Sequence, residues 1–431
     1  MTRRPFAPLA VLGAGLVLCV VAGSCTETEC ATPDYTRAEC RVVAENSFAR
    51  LRTAEGVEVR FQALGPEGEL PSDDRASWSA EGRVVERGPR VVARVAHPGA
   101  FALSLRNTTG EDVEVELDLD NIHPEAVVET NALVDELSRE GLVRRMHVSV
   151  AARGVTWVRG GLPEDSVCAQ AQRFVVLADV QENPTQFARI IERLQVEAGR
   201  AQEAGERLVA VIMPGDLTES ASEEEFLAFT DLLEKAPVPF ALMPGNHDVY
   251  DAHLPHYNNR FGPGNYAFDL CSVHVAVLDT GSGAIADSVL ARLPTLLDKG
   301  DASHSWMAMH HPPHAATTAA GWNRENMAMM TLAEFAHQGG DLVLAGHAHM
   351  LRSLEFTAAG QPLQQIIAGT AGAWQGAGQP VYGYVRLRVD PDPEAPVEAC
   401  FVEVPPPGGL PHVETADTGI PACPASDPST K

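Results

Sequence analysis

Five short stretches of this sequence set carboxylates, amides and imidazoles where a chain can do chemistry. They are Ala178-Asp179-Val180-Gln181, Pro214-Gly215-Asp216-Leu217-Thr218-Glu219, Met243-Pro244-Gly245-Asn246-His247-Asp248, Met309-His310-His311-Pro312-Pro313 and Ala345-Gly346-His347-Ala348-His349. Each follows its own apolar run, which places it at the carboxyl end of a strand, the edge where open α/β sheets bind their ligands. One copy alone reads as an ordinary turn, since Pro-Gly-Asn is turn chemistry; five in order do not. Eleven of the 15 histidines lie between His247 and His349. Neutral imidazole, carboxylate and amide oxygens suit divalent zinc, manganese or iron, and a shared carboxylate bridges two ions. Two ions roughly 3.5–4 Å apart clamp both the attacked and the departing oxygen of a phosphoryl group, which is a reason for such donors to converge from five loops.

The elements that must position these residues begin at Arg173, where apolar strands start to alternate with amphipathic helices. Phe187, Ile190, Ile191 and Leu194 share one helical face. Arg207–Met213 reads as the next strand, and Ser222 with Glu225 forms a capping box for a helix reaching about Lys235. Val273, Val275 and Val277 alternate toward Asp279, and further strands are expected at Trp306–Met309, Asp341–Leu344, Leu363–Ala368, Tyr382–Val389 and Cys400–Val404. Upstream, Val57, Val59 and Phe61, then Val113, Val115, Leu117 and Leu119, alternate with polar residues as in a β-sandwich. Asn107-Thr108-Thr109-Gly110 reads as a hairpin turn, and Asn131–Arg144 as a helix. The expected division is a signal peptide over 1–25, a tether over 26–45, a β-rich domain over 46–165, the α/β domain over 170–404 and a Pro/Gly-rich tail over 405–431.

A formal charge of -26 and a pI near 4.9 speak against binding a nucleic-acid polymer, because that grip needs clustered Lys and Arg. Arg3 and Arg4 precede an apolar run from Ala7 to Ala22 that is short for a membrane span and laid out like a signal peptide, so export is expected. Cys25 has two readings: the lipid-carrying residue of a membrane-tethered lipoprotein, or a bystander to cleavage near Ala22 and Ser24. Cys30, Cys40, Cys168, Cys271, Cys400 and Cys423 form an even set suited to an oxidising compartment, with Cys30–Cys40 and Cys400–Cys423 the local pairings among 15 arrangements.

In this order and spacing, Asp-x-Gln, Gly-Asp-x-x-Glu, Gly-Asn-His-Asp, His-His-Pro-Pro and Gly-His-x-His resemble the calcineurin-like metallophosphoesterase family over about Arg173–Val389. The resemblance implies a four-layer αββα sandwich, here preceded by the small all-β domain, with two divalent metal ions (Mn, Fe or Zn) at one edge. Carried over by motif, Asp179, Gln181 and His349 belong to one ion, Asn246, His310 and His347 to the other, and Asp216 bridges both. His247 is the group that protonates the departing oxygen, and Glu219 stands where the family often has an Asp that orients it. Gln181 departs from the more frequent His and is a weaker donor; Glu219 is one methylene longer than Asp. The second motif lacks the Tyr of purple acid phosphatases, and the Arg signatures of phosphoprotein phosphatases are missing.

The implied activity is hydrolysis of a phosphate ester by a metal-bridging hydroxide, as a small-molecule phosphodiesterase or a phosphomonoesterase, in the cell envelope or secreted. The alternative is a non-catalytic surface lipoprotein that uses the fold as a binding module.

Overall fold

The structure, a computed structural model, describes residue 30 and residues 32–64, 79–314, 321–375, 381–407 and 418–424. The signal peptide, Cys25 and most of the tail lie outside the described residues. Among those described, no helix is long and apolar enough to cross a membrane.

The α/β body is built on two sheets. In one, Gln172–Val176, Arg207–Pro214 and Phe240–Met243 pair in parallel, and Gly383–Val389 and Glu398–Glu403 extend it antiparallel. In the other, Val273–Leu278, His304–Met309, Leu342–Ala345 and Gln361–Ala368 run parallel, flanked by antiparallel Tyr266–Leu270 and Leu351–Ala358. Their strands are near-continuous apolar runs because both faces are covered. Phe174, Val176, Ile212, Val275, Val277, Trp306, Ile366 and Val385 fill the space between the sheets. The outer face of the first sheet is covered by Phe187, Ile190, Ile191 and Leu194 of the Pro184–Glu203 helix and by Phe226, Phe229 and Leu233 of the Glu223–Leu233 helix. Val289 and Leu293 (helix Asp287–Leu296) and Met327, Leu332 and Phe335 (helix Glu325–His337) cover the second. The result is the expected αββα layering. The Ser222–Glu225 capping box forms as read from sequence.

Ahead of this body, two five-stranded sheets enclose a separate core of Val57, Val59, Phe61, Leu103, Leu105, Leu117, Met146 and Val148. Two readings need correction here. Asn131–Arg144 is no helix; it carries strand Val134–Glu140 and the start of Val143–Val150, turned at Gly141 with φ 56°. Leu133 and Leu137 are exposed, whereas Met146, Val148 and Val150 alternate into the core. Asn107–Gly110 is not a hairpin either, since Phe101–Asn107 and Val113–Asp120 belong to different sheets. Asn107 caps this crossover, donating from Nδ2 to the Glu111 and Val150 carbonyls and accepting from the Thr109 N–H.

Residues 38–45, read as part of a tether, instead begin a helix, Ala38–Phe48, that docks on the α/β body. Arg41 places Nε and Nη2 on the two Asp279 oxygens, both at 2.7 Å, with both side chains buried. Glu45 accepts from the Gly264 N–H and Asn265 Nδ2, and Asn265 accepts in turn from the Asp279 N–H. Polarity misled the sequence reading, because this helix meets its neighbours through charge pairs as much as through apolar contact.

Three disulfides form: the two local pairs, and Cys168–Cys271 with a sequence separation of 103. The last ties the segment leaving the β-sandwich to the Leu270–Val273 turn. Closing so long a loop removes much freedom from the unfolded chain, so replacing both cysteines with serine should cost about 3–5 kcal/mol, read as a lower denaturant midpoint.

His97 adds an acid sensitivity. It is buried with neither ring nitrogen hydrogen-bonded, and it stacks on Phe268 at 5.3 Å. Burial drives its pKa down to about 4. The unfolded imidazole binds a proton near 6.5 and the folded one resists it, so this contribution to stability is full above about pH 6.5 and fades toward pH 4. Over that window the loss amounts to about 3 kcal/mol. His97→Phe should flatten the stability-versus-pH curve between pH 6.5 and 4, measured by urea unfolding; identical slopes would refute this origin.

Candidate metal centre

All five motifs leave carboxyl ends of parallel strands at the same edge. Asp179 follows Gln172–Val176, Asp216 follows Arg207–Pro214, Asn246 and His247 follow Phe240–Met243, His310 follows His304–Met309 and His347 follows Leu342–Ala345. Asp179, Asp216 and His310 are fully buried together, and His310, His311 and His347 form a second tight group that shares His310.

The contacts are direct. His310 Nε2 lies 3.3 Å from Asp216 Oδ2, 3.1 Å from Asn246 Oδ1 and 3.2 Å from His347 Nδ1. Its other nitrogen meets the Pro214 carbonyl at 2.8 Å, which fixes the ring and leaves Nε2 facing the cluster. Asp179 Oδ1 accepts from the His347 N–H at 3.0 Å, and Asp216 Oδ1 accepts from the His247 N–H at 3.0 Å. Gln181 donates from Nε2 to Asp216 Oδ2 at 2.7 Å. His349 stands outside the tight groups, with Nδ1 on the Trp374 carbonyl at 2.8 Å, though its charge still acts on Asp179.

The backbone is bent to achieve this. Asp179, Gln181, Asp216, His347 and His349 all have positive φ, half of the ten non-glycine residues so placed among those described. Left-handed backbone at residues with a Cβ costs energy and clusters at functional sites. Glycines let the loops close in. A Cβ at Gly245 would lie 2.1 Å from Asp216 Oδ1, and one at Gly369 would lie 2.2 Å from Asp179 Oδ2. The Gly369-Thr370-Ala371-Gly372 run therefore approaches the cluster with its backbone.

The electrostatics are those of an anionic hole. Burial pushes the Asp179 carboxyl up to about 6. At Asp216 burial acts the same way, but His310 outweighs it and holds the carboxyl low. Burial alone would depress His310; the two carboxylates instead raise it to about 9, so a proton there offsets their charge. Burial and the charge of His310 push His347 down to about 4 and His311 to about 2. Asp179 Oδ2 is buried with no hydrogen-bond partner. A buried carboxylate oxygen left bare is costly unless something cationic meets it. The donors of this cluster, two carboxylates, an amide and imidazoles, fit a divalent cation.

Residues 172–351 match the family model described as calcineurin-like phosphoesterase. The chain carries a calcineurin-like phosphoesterase domain. A stretch of 110 residues is 27% identical to a probable cyclic nucleotide phosphodiesterase of Fibrobacter succinogenes, covering 24% of this chain and 41% of that relative, so the chain matches less than half the relative's length. Among solved structures, PhoD is similar over 77% of this chain and 94% of its own at 13% identity and a TM-score of 0.42. A dimetal phosphatase from Danio rerio is similar over 54% and 96% at 14% identity and a TM-score of 0.41.

Around the candidate ligand positions, neighbouring polar residues have partners of their own. His247 Nδ1 lies 2.7 Å from the Glu219 carbonyl and 3.5 Å from its carboxylate, so the closer orienting contact comes from the backbone. His256 pairs with Asp251, and His314 stacks on Phe356. Asn265 is the bridge between Glu45 and Asp279 described above. Sequence reasoning assigned Asp248 no role. Its carboxylate accepts from the N–H groups of Leu217, Thr218 and Gly245 and from Thr218 Oγ1, tying the second motif's loop to the third's. Its place in Gly-Asn-His-Asp, two residues after the candidate ligand Asn246, was the available signal.

Proposed function

We propose that this chain is an exported, metal-dependent phosphoesterase acting on small-molecule phosphate esters. The observation that carries the reading is the buried Asp179–His310–Asp216 cluster with Asp179 Oδ2 left bare. Asp179, Asp216, Asn246, His310 and His347 would hold two divalent ions, with Gln181 and His349 completing the set. Such ions supply Lewis-acid polarisation of the phosphoryl oxygens and an acidified water nucleophile.

The chain's own groups do the rest. The His247 N–H and Gln181 Nε2 fix the two oxygens of Asp216. With the Glu219 carbonyl against Nδ1, a protonated His247 keeps its proton there and donates the one on Nε2 to the departing ester oxygen. A diester substrate is favoured by the name of the Fibrobacter relative; a monoester is the competing substrate class. The three disulfides support an oxidising compartment, reached by secretion or by a lipid anchor at Cys25. The β-rich part over 46–165 would present or support the 170–404 catalytic domain.

The test is hydrolysis of chromogenic phosphate mono- and diesters with added manganese, beside His247→Ala, together with metal counting. Turnover by wild type that falls about 100-fold in the variant, with close to two ions per chain, is expected. Bound metal with no turnover of any ester would overturn the catalytic reading, and neither metal nor turnover would favour the binding module.

A further inference from the structure

A cavity of about 510 Å³ opens beside the metal-ligand positions, lined by Asn246 and His347 on one side and by Thr36, Tyr250, His311 and Asn323 on the others. Gly281 and Gly283 form part of its wall, where added side chains would collide with the Gly245 carbonyl and with Asn323. Among the described lining residues there is no Asp, Glu, Lys or Arg, although the chain as a whole carries 90 such residues, 32 basic and 58 acidic.

Two residues shape its wall and its rim. His311 is 6% exposed, its backbone is held by Thr280 Oγ1 and Trp322 Nε1, and its Nδ1 has no hydrogen-bond partner. Tyr250 is 52% exposed at the rim, with its ring 4.8 Å from that of His247 and its hydroxyl accepting from Asn246 Nδ2 at 3.3 Å.

The third wall comes from far away in sequence. Thr36 is carried by the segment that leads into the Ala38–Phe48 helix, and that segment is fixed from several sides. Arg41 Nη1 donates to the Tyr35 carbonyl and to Ser282 Oγ, and Ser282 Oγ donates to the Thr36 carbonyl. The Tyr35 N–H reaches the Ala252 carbonyl at 3.0 Å, Glu39 accepts from Ser288, and Cys40 is cross-linked to Cys30.

We infer that this cavity holds the organic half of the phosphate ester, that it selects an uncharged ring-bearing group, and that the segment around Thr36 sets this specificity. The inference rests on the phosphoesterase reading above. No cationic side chain lines the cavity among the described residues and the Asp34 carboxylate accepts from Thr36 Oγ1, so nothing in this wall compensates an anionic substituent, and an uncharged group is favoured over an anionic one. Tyr250 offers a face for a ring.

The experiment uses the full chain with manganese and two matched esters, phenyl and 4-carboxyphenyl, each as the phosphate monoester and as the methyl phosphodiester. Wild type should prefer the phenyl ester, mainly through KM. Thr36→Lys should shift the ratio of kcat/KM toward the carboxylate ester by about fivefold at low salt, and the shift should vanish in high salt. Tyr250→Ala should raise KM for the phenyl ester more than it lowers kcat. An unchanged ratio in Thr36→Lys with unmoved KM in Tyr250→Ala, while both esters turn over, overturns the assignment of the cavity. Failure of manganese-loaded wild type on every ester overturns the phosphoesterase reading and this inference with it.

Discussion

Asp216→Asn should lower kcat/KM for phosphate-ester hydrolysis by about a thousandfold or more, without unfolding the chain. The reason lies in the balance of charge. Asp179 and Asp216 share one buried hole, and in the metal-free chain the charge of His310 is the largest that offsets them. Asparagine keeps an oxygen for the His247 N–H but removes one negative charge, so the pull on a divalent ion drops sharply, and the metal-free protein loses the partner of the His310 proton. In chelator the variant should therefore still fold but melt a few degrees below wild type. Added manganese separates the two. A ligand at 100 times its Kd raises stability by about 2.7 kcal/mol, and wild type should show a shift of that order that Asp216→Asn lacks. A variant that keeps both the manganese-induced shift and most of its rate would mean that Asp216 is not at the centre of the site.

How much of this was legible in the sequence follows from what each signal encodes. Strand ends were legible, because buried parallel strands are written as apolar runs and each run here stops at a ligand-type residue. Residue type then indicated the chemistry, and the structure brings Asp179, Asp216, Asn246, His310 and His347 together at one edge. Backbone strain was not legible. Nothing in the letters of Asp179, Gln181, Asp216, His347 or His349 announces a left-handed φ, which the surrounding packing imposes. Sheet membership in the β-rich part was equally hidden, since alternation marks a strand without naming its partner; hence a turn read as a hairpin at Asn107 proved to be a crossover. The docking of Ala38–Phe48 escaped because it depends on Arg41 meeting Asp279, 238 residues away. The cavity wall at Thr36 escaped for the same reason. Partnerships across such separations leave no local pattern in a single chain.

Asp248 shows what this means for the chemistry. It touches no candidate ligand side chain through its carboxylate, yet five donor contacts of 2.8–3.1 Å reach its two oxygens from Gly245, Leu217 and Thr218. Burial and the nearby Asp216 push its carboxyl up to about 7, against the downward pull of those donors. Removing the acceptor strands three buried N–H groups and a hydroxyl, and each unsatisfied donor costs about 1–3 kcal/mol. Asp248→Ala should therefore cost about 4 kcal/mol or more of stability. Water entering the space left by the carboxylate would recover part of the sum. The functional loss should exceed what unfolding explains. The loop carrying Asp216 and the loop carrying Asn246 and His247 would no longer be held in register, so the fraction that remains folded at low temperature should bind manganese weakly. Asp248→Asn is the sharper version: the side chain keeps its shape, but its NH2 must face an N–H that needs an acceptor. Chemical denaturation and manganese titration on the same samples separate the two effects. Normal manganese affinity in a destabilised Asp248→Asn chain would confine Asp248 to holding the fold, whereas weakened affinity at full folding would place it in the machinery that sets the metal positions.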